Sequence, residues 1–189
     1  MTVLKPWLDR VGRYPVERVD APYFLQKISF TAPPAAVLHT TEGGSWDSLD
    51  VEFREHFAPH FMVGPGRIQQ LVPVGFIGAA LKTHNWLARV QVEVIGKSLE
   101  TPWLPDEPTL DVLVELMAAC KVEYDIPLTH PWPDGDWGRA GPNPHRASGK
   151  FGKVAGWFGH GDVPAPDTHW DPGNLIWSKV LALAEAKDT

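Results

Sequence analysis

Cysteine is almost missing from this chain: Cys120 stands alone in 189 residues. One thiol cannot close an internal disulfide, so nothing marks an oxidising compartment and no covalent staple supports the fold. The first twenty residues hold no apolar stretch of the kind a secretory leader carries. No apolar run approaches the ~18 residues that a membrane-spanning helix needs. The expectation is a protein made in the cytoplasm without a signal peptide, and no membrane partner. Positive charge is also scarce, with 17 Lys and Arg against 23 Asp and Glu, a net charge of −6. A nucleic-acid binder normally presents a basic face, so nucleic acid is not expected as a partner. Internal repeats, low-complexity tracts and a linker to a second module are missing too. The length suffices for one domain with a full core, and not comfortably for two.

Proline and glycine are plentiful instead, 19 and 17 residues, which implies many turns and long ordered loops. Nine tryptophans are present. Trp46, Trp103, Trp132, Trp137 and Trp170 fall in loop-like contexts, where they either pin loops to the core or wall a groove for a sugar or peptide. Residues 1–34 read as an irregular lead-in, broken by Pro6, Pro15, Pro22, Pro33 and Pro34. AAVLHTT (35–41) reads as a strand running into the turn Glu42-Gly43-Gly44, which puts His39 near a strand end, where sites of α/β folds collect. A short helix is predicted over 46–57, and a hairpin over 60–74 around Gly64-Pro65-Gly66. In 88–96, Val90, Val92 and Val94 alternate with Gln91, Glu93 and Ile95, the pattern of a strand. Residues 109–123 read as a helix starting near Pro108 and Thr109, and 124–152 as a long loop. The stretch 174–187 reads as an amphipathic helix that Asp171 can cap, with Pro172 in its first turn.

The densest chemistry lies in GHGDVPAPDTHWDPGNLIW (159–177). His160, Asp162, His169 and Asp171 fall within twelve positions, which points to a metal or acid–base site. Catalytic zinc takes three protein ligands and an open position. His39, His160 and Asp171 supply such a set, with His39 arriving from a distant strand. Taken singly, each histidine reads more readily as structural or surface than as a ligand, Asp171 as a helix cap, and Glu93 as a solvated strand residue.

Four blocks, VLHTTEGG (37–44), PHFMVGPGRIQQLVP (59–73), RVQVEVIG (89–96) and GHGDVP…HWDPGNLIW (159–177), occur in the order seen in a known family. Over roughly residues 35–180 the chain resembles the zinc-dependent N-acetylmuramoyl-L-alanine amidases. That family is shared by phage endolysins, bacterial wall-recycling amidases and peptidoglycan recognition proteins. The HWDPG form is most similar to phage lysins and related actinobacterial enzymes. The resemblance implies a single α/β domain, a central mixed β-sheet flanked by helices, with zinc at one end of a surface groove. It makes 35–189 the catalytic domain, with 1–34 a lead-in packed on it. It implies His39, His160 and Asp171 as zinc ligands and Glu93 as a catalytic residue. His169 stands where many members carry a lysine, and the resemblance makes it a catalytic partner. Asp162, two residues after His160, reads either as the orienting partner of an imidazole or as a loop turn. His60 is expected to pack beside the site, and His56, His84, His130 and His145 to lie at the surface or along the groove. Asn85 and Arg146 are open candidates for muropeptide contacts.

The implied activity is hydrolysis of the amide between N-acetylmuramic acid and L-alanine in bacterial peptidoglycan, by a monomeric, bacteriolytic enzyme. If phage-encoded, it would reach the wall through holin-dependent release. Two rivals stand beside it: a non-catalytic peptidoglycan-binding module, and a zinc peptidase cutting within the stem peptide.

Overall fold

The structure is a computed structural model that describes residues 4–19, 26–46, 53, 56–98, 103–134 and 143–187. Seven strands form one mixed sheet: β1 (Arg10–Val11), β2 (Tyr14–Arg18), β3 (Ala35–Thr40), β4 (Phe61–Gly64), β5 (Arg67–Gln70), β6 (Val90–Val94) and β7 (Gly156–Gly159). Their order is β1-β2-β5-β4-β6-β3-β7. Strand β3 lies between β6 and β7 and is parallel to both, and β4 is parallel to β6. Every residue of β3, β4, β6 and β7 is buried, as a parallel sheet covered on both faces requires.

The period of two assigns the faces. Ala36 and Leu38 of β3, with Val90, Val92 and Val94 of β6, join the core formed with two helices, α1 (Glu107–Tyr124) and α2 (Trp177–Glu185). Ala35 and Val37 point to the opposite side, into a cluster with Phe158 and Val163. His39 follows Val37 on that second face. Among the described residues no helix is long and apolar enough to cross a membrane.

Helix α1 begins before the expected Thr109. Asp106 is the N-cap, its carboxylate accepting the Thr109 N–H at 3.0 Å, so Thr109 gives a bond where a cap would take one. Cys120 and Met117 are fully buried in the core. The hairpin forms as the sequence indicates, Val63 opposite Ile68, with Gly66 at φ +65° in its turn. The helix expected over 46–57 falls mostly outside the described residues.

Three expectations are corrected. The lead-in is not irregular throughout, because β1 and β2 lie inside it and β2 pairs in parallel with β5. The Gln70 side chain fastens it further: its Oε1 accepts the Leu8 N–H at 2.9 Å and its amide donates to Pro6 O at 2.8 Å. The last helix starts at Trp177, not Asn174. Asn174 O and Ile176 N bond Trp103 in extended fashion, so the chain cannot yet be helical there. Asp171 therefore does not cap this helix; Ile176 holds that position without a side-chain bond. Strand β7 was hidden in the sequence, because GWFG offers two glycines and no alternation over its four residues.

Candidate metal centre

Three neighbouring parallel strands bring their C-terminal ends to one edge of the sheet. Register puts His39 opposite Glu93 and Leu38 opposite Gly159, so His160, the next residue after β7, arrives beside His39. Asp171 returns from the loop that follows. Gly161 N donates to Asp171 O at 2.8 Å, and Thr40 N donates to Asp171 Oδ2 at 3.2 Å. Gly159 lets this loop approach: a Cβ there would lie 2.8 Å from Pro172 Cδ.

His39 Nδ1 and His160 Nδ1 stand 2.9 Å apart. The Asp171 carboxylate lies 3.8 Å from His39 Nδ1 and 3.6 Å from His160 Nδ1. The three residues each offer a ligand atom within 4.8 Å of the others. Zinc–nitrogen bonds of about 2.0–2.1 Å in a tetrahedron separate adjacent donors by roughly 3.3 Å. Two imidazole nitrogens and a carboxylate directed at one point, all buried, fit a small divalent cation.

Burial and neighbouring charges act on these groups in different directions. Burial pushes His39 down to about 3, and the neighbouring His160 adds to the effect, so His39 offers a neutral nitrogen. Burial would lower His160 as well, but Asp167 and Asp171 overrule it and raise it to about 9. Burial alone would raise Asp171; the His160 and His39 imidazoles and the Thr40 N–H hold it below the usual carboxylate range. Asp167 and Asp171 thus favour positive charge at His160.

Glu93 is buried rather than solvated. It lines the same cleft of about 400 Å³ as His39, His160, His169 and Asp171. Phe53, Phe57 and Trp170 give this cleft apolar walls. His169 is exposed at its rim, with Nδ1 3.1 Å from His160 Nδ1. All five residues singled out from the sequence thus meet in one place.

The sheet and its helices match solved structures. The Staphylococcus aureus hydrolase AmiA, in complex with its ligand, superposes with a TM-score of 0.60 over 98% of this chain and 95% of its own, at 15% identity. The N-acetylmuramoyl-L-alanine amidase LysC from Clostridium intestinale gives 0.55 over 88% and 95%, also at 15% identity. Drosophila peptidoglycan recognition protein SD gives 0.52 over 89% and 94%, at 14% identity. The fold is that of the N-acetylmuramoyl-L-alanine amidases and peptidoglycan recognition proteins. No family model matches the sequence, and a search of curated proteins gives no match.

Within this amidase-type fold several polar residues have structural duties. His60 is buried, with Gln91 N donating to its Nδ1 at 3.1 Å and its Nε2 donating to Phe76 O at 3.0 Å. Those two bonds fix its tautomer, and burial lowers it to about 4. Asn85 spends its amide on Leu81 N, Leu81 O and Gln91 Nε2. Arg146 donates to Val163 O and Asp167 O. Both side chains are thus tied to nearby backbone. His145 is buried, not superficial: it stacks on Trp132 at 3.9 Å, and its Nδ1 lies 2.9 Å from Asp162 Oδ1. Asp162 also accepts from Gly159 N and Asn143 Nδ2. It orients an imidazole, but that of His145, not of His160.

The partner of His160 is a residue sequence reasoning did not single out. Asp167 Oδ2 lies 2.9 Å from His160 Nε2, and the Asp167 side chain is fully enclosed. The only hint was the carboxylate that closes PAPD, directly after Pro166, where an ordinary turn residue reads the same.

Proposed function

We propose that this protein is a zinc-dependent peptidoglycan hydrolase that cleaves the amide between N-acetylmuramic acid and the L-alanine of the stem peptide. Within that reading it is an N-acetylmuramoyl-L-alanine amidase of the phage endolysin kind, with residues 35–189 carrying the site. The observation that supports it most is the convergence of His39, His160 and Asp171 beside Glu93 at one end of the cleft. The ligands would be His39 Nδ1, His160 Nδ1 and the Asp171 carboxylate. A bound zinc ion supplies a Lewis acid that acidifies water and polarises a carbonyl. Glu93 takes the proton of the attacking water and passes it to the departing alanine nitrogen. His169 offers an N–H to the carbonyl oxygen as it gains charge. Phe53, Phe57 and Trp170 exclude water and seat the apolar faces of sugar and peptide. The products are a lactyl carboxylate on the glycan and a free α-amine on L-alanine.

Digestion of purified peptidoglycan, with and without a chelator, tests this reading. The expected result is new N-terminal alanine that the chelator abolishes, with no new reducing sugar. New termini inside the stem peptide would make the protein a peptidase. Wall binding with no new termini and no bound zinc would make it a binding module.

A further inference from the structure

We propose that Asp167 is a positioning residue: it selects the nitrogen that His160 presents to the metal and anchors the backbone of His169 beside it. The proposal rests on the metal-centre reading above and extends it to a residue outside the ligand set.

Asp167 is held from several directions. Its Oδ2 accepts the Lys82 N–H at 3.2 Å as well as facing His160 Nε2 at 2.9 Å. Its Oδ1 accepts the His169 N–H at 3.1 Å. Its backbone carbonyl accepts from the Arg146 guanidinium, which also reaches Val163 O at 3.3 Å. An enclosed carboxylate with these partners cannot swing away. An ionised carboxylate only accepts, so His160 Nε2 must carry the hydrogen. In the neutral imidazole the lone pair then sits on Nδ1, the atom that faces His39 Nδ1, His169 Nδ1 and Asp171. Hydrogen bonding at the far nitrogen is the usual way a protein fixes a metal-binding imidazole.

His39 offers a contrast within the same site. Its Nε2 is buried with no hydrogen-bond partner among the described residues. His160 is thus the imidazole whose orientation is set by a carboxylate, and Asp167 sets it. The second bond, to His169 N, means that one side chain holds both a metal ligand and the residue at the cleft rim.

Two variants test this, Asp167→Ala and the isosteric Asp167→Asn. In the variant amide one oxygen becomes an NH2 group. Turned one way it confronts the His169 N–H. Turned the other way it confronts His160 Nε2–H and the Lys82 N–H. Zinc affinity is measured by competition with a chelating dye, and the His160 ring is observed by 15N–1H spectra of the zinc-loaded proteins. The expected result is a wild-type Nε2 proton in slow exchange with zinc on Nδ1, and zinc affinity ten- to a hundredfold weaker in the variants. In Asp167→Ala the Nε2 proton should also exchange faster. Should Asp167→Ala fail to fold, Asp167→Asn carries the test through its affinity. Unchanged zinc affinity together with an unchanged Nε2 proton in the variants overturns the positioning role alone. Wild-type protein that takes up no zinc overturns the metal-centre reading and this proposal with it.

Discussion

His60 shows what burial does to one titratable group. It is enclosed and bonded at both nitrogens as a neutral ring, and its folded value is about 4 against an ordinary 6.5. As pH falls through that window, the unfolded chain takes up a proton that the folded chain refuses. Stability should therefore fall from about pH 6.5 to about pH 4, by up to roughly 3 kcal/mol from this residue. Urea midpoints at pH 7 and pH 4.5 measure it, and His60→Gln should show the shallower pH slope. Equal slopes would show that His60 does not control this loss. Glu93, one strand away, carries a different expectation. Glu93→Gln should keep zinc and fold but lower kcat about 10²–10⁴-fold, as loss of a general base does. Stoichiometric zinc with near-normal turnover would remove Glu93 from that role. At this scale the sequence exposed His39, His160 and Asp171 through residue type and block order. Asp167 stayed hidden because its identity matters only once His160 Nε2 is 2.9 Å away.

Among the elements, local pattern served the strands that alternate or end in a marked turn: β3, β6 and the β4–β5 hairpin. It failed where pairing, not pattern, makes the element. Tyr14–Arg18 becomes a strand because β5 presents an edge to pair with, and Gly156–Gly159 because β3 does. Register is the deeper omission. That His39 stands opposite Glu93 follows from Ala36 pairing with Val90, and no local signal carries that match. The start of α2 was misplaced because residues 174–176 find partners on Trp103. The attachment of the N-terminal hairpin can be probed at Gln70, which is fully buried. Gln70→Leu preserves approximate volume but removes the acceptor of the Leu8 N–H, at a cost of about 1–3 kcal/mol. Hydrogen exchange should show the Leu8 amide losing protection and residues 4–19 opening first. Uniform exchange across the sheet would show that Gln70 does not hold this segment locally.

For the molecule as a whole, the candidate metal centre ties together β3, the turn after β7 and the loop carrying Asp171. A ligand bound only by the folded state stabilises it by about 2.7 kcal/mol at a hundredfold excess over its Kd. For a domain of this size, that is roughly 5–10 °C in Tm. Chelator treatment should lower the melting temperature by that amount, and added zinc should restore it. An unchanged Tm on chelation would indicate that no such ion is bound.

The place of β3 in the sheet also bears on the order in which the chain is made. Residues 35–40 leave the ribosome long before residues 156–159, which are their partners on one side. Until those arrive, the sheet ends in a fully apolar run, AAVL, with an open row of backbone N–H and C=O groups. Nascent or prematurely terminated chains therefore carry a sticky edge at the heart of the future site, and such edges recruit other chains. Docking of β7 covers that side of β3, and the same step brings His160 beside His39. Assembly of the site and protection of the edge are one event.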